Sequence, residues 1–196
     1  MHPLLSLKIG PGMIDSMTKG NMLIALARAA ITTKLDMHMH GVDCSGADWL
    51  EESAATFVTL SKHGELRGCI GTLEAYRPLI EDVQANAIAA AFHDPRFLPL
   101  SREEYSSLQV EVSLLSSMQA IDAGSERIAL SNIRPFIDGV VFKYGSYRST
   151  FLPQVWEQLP DPVQFMAHLK QKAGLSADFW HPDVIMYKYQ VYKYHE

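Results

Sequence analysis

The side chains most able to do chemistry sit in Arg67-Gly68-Cys69-Ile70-Gly71. Cys69 is the obvious nucleophile, because a thiolate attacks electrophiles and a positive neighbour favours that form. Arg67 lies two residues earlier, on the same face of a regular strand, where it would support the thiolate or hold an anionic substrate. Gly68 and Gly71 flank the Cys69-Ile70 pair and remove bulk where a ligand, a partner or another backbone comes close. A bulge or tight packing calls for the same glycines. Cys69 reads equally well as a small buried hydrophobe. No His and Asp nearby in sequence complete a thiol machinery, and His63 and His93 are bases by composition alone.

Three further stretches carry polar groups. His93-Asp94-Pro95-Arg96 follows an apolar helical run, and Pro95 disfavours helical geometry at Asp94. The turn either aims Asp94 or Arg96 into a cleft, or uses Asp94 as a cap with Arg96 paired at the surface. Tyr144-Gly145-Ser146-Tyr147-Arg148-Ser149-Thr150 is rich in hydroxyls, and Arg148 offers a rigid fork of donors. A helix starting near Thr150 would add unpaired N–H groups for an anion, with Gln154 one turn on. Arg67 and Arg148 are then expected to form the positive side of one anion-accepting cleft, with Cys69 at its floor and Gln154 near its rim. Finally, His38-Met39-His40 with Asp43 or Cys44 is a permissive metal set or an ordinary hydrogen-bonded loop. No zinc-like spacing recurs, so no metal is assigned. Neither a phosphate loop nor a dinucleotide-binding glycine pattern is present, and no cofactor is assigned.

The elements that must position these groups follow from periodicity. Thr56–Lys62 and Glu65–Gly71 alternate as two strands around His63-Gly64, a tight-turn pair, and predict a hairpin. Leu23, Leu26, Ala27, Ala30 and Ile31 fall on one helical face, predicting a core helix from about Lys19 to Leu35 with Thr18 as cap. Pro78 opens a second helix through Leu79, Val83, Ala87 and Ala91. Ser101-Arg102-Glu103-Glu104 has a capping-box pattern before the alternating strand Leu108–Leu114, in which Glu111 takes the outward face. Residues 118–134 read as mostly irregular, leading to a strand at Gly139–Lys143. Asp161-Pro162 starts a last helix that Gly174 stops, and Val184–Tyr194 reads as one final strand. Together these predict an α+β fold: a predominantly antiparallel sheet, covering helices and a smaller subdomain across a cleft.

Composition bounds the rest. With 196 residues, 47% of them hydrophobic, the chain is long enough to bury roughly 70% of its unfolded surface without a metal or disulfide staple. We expect an arm at residues 1–19 and a single domain at 20–196. Cys44 and Cys69 are too few for a disulfide framework. No secretory leader and no long apolar run is evident, so cytoplasmic localisation without membrane association is expected. A formal charge of -5 disfavours a broad nucleic-acid surface but leaves room for a local basic cleft.

Five blocks in order resemble the AMMECR1 domain family: Leu66–Gly71; Ala89–Phe97 with Pro99-Leu100; Val110–Ser113; Phe151–Val155; and Lys172–Leu175. The resemblance covers roughly residues 20–194. It implies an α/β body with a smaller subdomain and a groove. It points to Arg67, Gly68, Cys69 and Gly71, then Asp94, Pro95 and Arg96, then Pro153 and Gln154; Arg148 is added on chemistry alone. It also implies partners resembling the MEMO and radical-SAM families. Two functions follow as expectations. One is an accessory or adaptor domain of a modification system that binds a protein partner, a peptide or a small anion. The other is a cleft enzyme with Cys69 as nucleophile and Arg67 in support.

Overall fold

The computed structural model describes residues 11–37 and 41–196. The described residues form two compact units, one of residues 41–114 with 11–37 and Lys193–Glu196, the other Leu115–Tyr192. The fold is α+β, with two four-stranded sheets.

In the first unit, helix α1 (Pro11–Lys34) buries Leu23, Leu26, Ala27 and Ile31, as the spacing predicts. It begins earlier than expected, with Pro11 at its first position, so Thr18 lies inside the helix and not at its cap. A proline there sacrifices no intrahelical bond. Strands β1 (Thr56–Lys62) and β2 (Glu65–Gly71) form the expected antiparallel hairpin. Its turn residues His63 and Gly64 have φ of 54° and 82°, the left-handed pair that matches strand twist in a two-residue hairpin. Helix α2 (Leu79–Phe92) packs Val83, Ala87, Ala90 and Ala91 into the same core. Helix α3 (Arg102–Tyr105) carries the capping-box residue Glu104, and β3 (Leu108–Leu115) pairs antiparallel with β1.

The second unit contains β4 (Gln119–Ile121), α4 (Glu126–Ser131), β5 (Gly139–Tyr144), β6 (Tyr147–Phe151), α5 (Pro162–Lys172) and β7 (Ile185–Tyr189). Residues 118–134 thus hold a short strand and a short helix where no sustained period predicted either. The expected last strand is two: β7 belongs to the sheet β4-β7-β5-β6, and β8 (Val191–His195) to β2-β1-β3-β8. Alternation continues across the break, which is why the pattern does not announce it. The second core holds Val140, Phe142, Trp156, Phe165, Leu169 and Met186, with the Trp156 and Phe165 rings stacked at 3.6 Å. Asp161 caps α5, its side chain accepting from Val163 N–H at 2.8 Å, as read. Among the described residues no helix is long and apolar enough to cross a membrane.

Candidate functional site

Strand β2 lies at the edge of its sheet, and its irregularity begins at Arg67. Leu60 pairs with Gly68 but Ser61 pairs with Leu66, so Arg67 is the extra residue of a β-bulge. Arg67 Nη2 donates to Glu104 Oε2 at 3.0 Å and to the Leu98 carbonyl at 2.9 Å, and Nε donates to Glu104 Oε1 at 3.2 Å. Lys62 Nζ reaches the same carboxylate at 3.2 Å, and Ser101 N–H completes the set at 3.3 Å. The Arg67 guanidinium therefore lowers the Glu104 pKa to about 2. Arg67 Nη1 is buried without a hydrogen-bond partner.

The next outward-facing position is Cys69. In an antiparallel pair, alternate residues turn both backbone groups away from the neighbouring strand. At Cys69 those groups are met by the turn after α2. Cys69 N–H donates to Asp94 Oδ2 at 2.9 Å, and Arg96 Nη2 donates to the Cys69 carbonyl at 3.3 Å. Asp94 and Arg96 also hold each other, with Nη2 to Oδ2 at 2.7 Å and Nε to Oδ1 at 2.9 Å. Hydrogen bonding from Arg96, then from Cys69 N–H, holds the Asp94 carboxyl well below the usual carboxylate range despite its burial. Asp94 thus caps the backbone of its own turn, at Arg96 N–H, as well as that of β2, at Cys69 N–H.

The thiol itself has modest company. Cys69 Sγ lies 3.3 Å from Thr59 Oγ1, a neutral hydroxyl that is no general base. His63 is exposed at the hairpin tip, and His93 is exposed at the end of α2. Around the site, Phe97 lies beneath both guanidinium groups, 5.8 Å from Arg67 and 5.5 Å from Arg96. Leu98 is 84% exposed although its own carbonyl is bound by Arg67. Leu66 on β2 is 46% exposed.

The two glycines have a packing cause. A Cβ on Gly68 would stand 2.2 Å from the Ala90 carbonyl oxygen of α2, and one on Gly71 would stand 2.3 Å from the Phe57 ring. Gly68 therefore lets α2 lie against the hairpin, which brings the Asp94 turn to the β2 edge.

A buried network missed by sequence reasoning fixes the other end of α2. Asp82 is fully buried and accepts from Thr56 N–H at 2.8 Å, Thr56 Oγ1 at 2.6 Å, Thr72 Oγ1 at 2.8 Å, Arg77 Nε at 2.8 Å and Asn86 Nδ2 at 2.9 Å. The available signal was a polar pair, Asp82 and Asn86, spaced four apart beside the apolar positions Leu79, Val83, Ala87 and Ala90.

Two further expected site residues belong to the second unit. Arg148 is on β6 opposite Lys143 in the second unit, and Gln154 is exposed in the 3-10 turn Pro153–Glu157 of that unit. The stretch around Thr150 is strand, not the start of a helix, so the expected helical N–H groups are not supplied there. His38 and His40 lie outside the described residues. Asp43 accepts from Ser45 N–H and Oγ at 2.9 and 2.6 Å, and among the described residues no three His, Cys, Asp or Glu side chains are grouped to hold a metal. A groove of about 470 Å³ along α1, lined in part by Ile24, Ala25, Ala29 and Val42, includes none of the nominated residues.

The chain is thus an α+β protein of two antiparallel-paired four-stranded sheets, whose glycine-flanked edge strand β2 is capped by the Asp94-Pro95-Arg96 turn. A profile of the AMMECR1 family matches residues 24–194, and the chain belongs to that family. It is 36% identical over 188 residues to a protein of Methanothermobacter thermautotrophicus, covering 92% of this chain and 96% of that one. Protein MJ0810 of Methanocaldococcus jannaschii is 38% identical over 168 residues, covering 84% and 83%. The crystal structure of the uncharacterized protein PH0010 from Pyrococcus horikoshii is similar with a TM-score of 0.73 at 34% identity, covering 90% of this chain and 91% of that one.

Proposed function

We propose that this protein is an accessory domain that binds a protein partner at the β2 edge, with Leu98 and Leu66 as its apolar contacts and no covalent step at Cys69. One observation carries the reading: the charged groups around Cys69 are already engaged with one another and with β2, while Leu98 and Leu66 face solvent beside them. Charges arranged for a substrate would be left open to it. Charges that fix the backbone around exposed apolar side chains instead suit a preorganised docking surface. The AMMECR1 assignment makes proteins resembling the MEMO or radical-SAM families the first partners to try, in a cytoplasmic modification system. The test is co-purification from the native cell with wild type, Leu98→Glu and Cys69→Ser. Loss of a specific partner with Leu98→Glu and its retention with Cys69→Ser is expected; the reverse pattern would favour the thiol reading.

A further inference from the structure

The groove along α1 ends at an arrangement that binds a carboxylate. Its apolar wall is Ile24, Ala25, Ala29 and Val42, and its polar end is Arg28 with Glu196. Asn21, Ala25 and Ala29 recur at every fourth residue, so they share one face of the helix and give the groove a length of about 12 Å. No aromatic side chain is among the described residues that line it. Its volume of about 470 Å³ falls in the range of sites that take small molecules.

Three donors converge on one carboxylate at the polar end. Arg28 Nε donates to Glu196 Oε1, Arg28 Nη2 donates to Oε2 at 2.6 Å, and Val110 N–H donates to Oε2 at 3.3 Å. Arg28 is held there by more than this pair. Its Nη2 also donates to the Leu108 carbonyl at 2.6 Å, and its guanidinium lies 5.1 Å from the centre of the Tyr105 ring. A fork anchored in this way keeps its position when one carboxylate replaces another. Glu196 can be replaced where Asp94 cannot: its side chain is 32% exposed, against 2% for Asp94 at the β2 edge.

We propose that this groove binds an aliphatic monocarboxylate. Its chain lies along Ile24, Ala25, Ala29 and Val42, and its carboxylate takes the place of Glu196 on Arg28 and Val110 N–H. Both halves of the ligand follow from the lining. An uncharged chain buries apolar surface but leaves Arg28 paired with Glu196, and a short carboxylate meets the fork without the wall. Glu196 competes as a tethered group, at the effective concentration that its attachment sets, and so lowers the affinity for the ligand. The inference is independent of the β2 edge.

The test is calorimetric titration of the full chain with octanoate, using octan-1-ol and acetate as probes that each lack one half of the ligand. The proposal expects saturable binding of octanoate, at least about tenfold tighter than either control. Glu196→Gln removes the competing charge and should tighten octanoate by about tenfold. Arg28→Met should weaken it by at least about tenfold. Ala25→Phe fills the groove while leaving the Arg28–Glu196 pair in place, and should weaken it as much. That variant keeps the test decisive where Arg28→Met fails to fold. The proposal is overturned by absence of saturable binding in both wild type and Glu196→Gln, or by octan-1-ol or acetate binding as tightly as octanoate. An affinity that Glu196→Gln leaves unchanged or lowers, or that Ala25→Phe leaves unchanged, overturns it equally.

Discussion

The backbone N–H of Cys69 donates to the carboxylate of Asp94 at 2.9 Å, and the Arg96 guanidinium covers the Cys69 carbonyl. An edge strand with open backbone groups is a template for unwanted pairing, and here one turn masks both groups at the middle of β2. Asp94→Ala leaves a partly buried donor unpaired, and urea denaturation should show a loss of about 1–3 kcal/mol. The same variant should self-associate more readily in light scattering. Asp94→Asn keeps an acceptor but not the charge, and should lose less.

The Glu104 carboxylate makes acid stability a test of the Arg67 clamp. Its pKa in the folded chain is lowered from 4.5 to about 2, chiefly by Arg67. A depressed carboxylate stabilises the fold fully above its unfolded pKa and loses that contribution as pH falls through the folded value. Stability should therefore decline between pH 4.5 and about 2. Asp94, depressed in the same direction, adds to the decline. Chemical denaturation across this window should show a shallower slope for Glu104→Gln than for wild type. An identical slope would mean that the clamp does not persist in solution.

Gly68→Ala tests the contact that sets the site. Its Cβ would meet the backbone oxygen of Ala90 at 2.2 Å, and neither strand nor helix can yield as a side chain would. The expected loss is about 1–3 kcal/mol by denaturant titration. Gly124→Ala, whose Cβ would meet only the Asp122 side chain at 3.3 Å, should be near neutral.

Where a local rule governs the outcome, the sequence was legible. His63-Gly64 declares its turn because both residues tolerate left-handed geometry, Pro95 keeps Asp94 out of α2, which ends at Phe92, and Asp161-Pro162 starts α5. The AMMECR1 blocks gave the family. The partners of the site were not legible, because they lie far apart in the chain: Arg67 meets Glu104 across 37 positions, and Cys69 meets Asp94 across 25. The bulge at Arg67 depends on the register with β1, which one strand's alternation does not encode. Asp82 in the first turn of a helix reads as an ordinary complement to the helix dipole, whereas it is the buried acceptor of five hydrogen-bond donors. The switch between β7 and β8 is similarly silent, because Val184–Tyr194 keeps its period across two sheets.

The central claim is that the β2 edge binds a partner through apolar side chains and not through thiol chemistry. Calorimetric titration of the co-purified partner against wild type, Leu98→Glu and Cys69→Ser tests it most directly. The account predicts that Leu98→Glu weakens binding by about 2 kcal/mol or more, as removal of an interface anchor does, with Cys69→Ser within about 0.5 kcal/mol of wild type. Full affinity in Leu98→Glu, together with a partner that is covalently joined to or modified through Cys69, would contradict it.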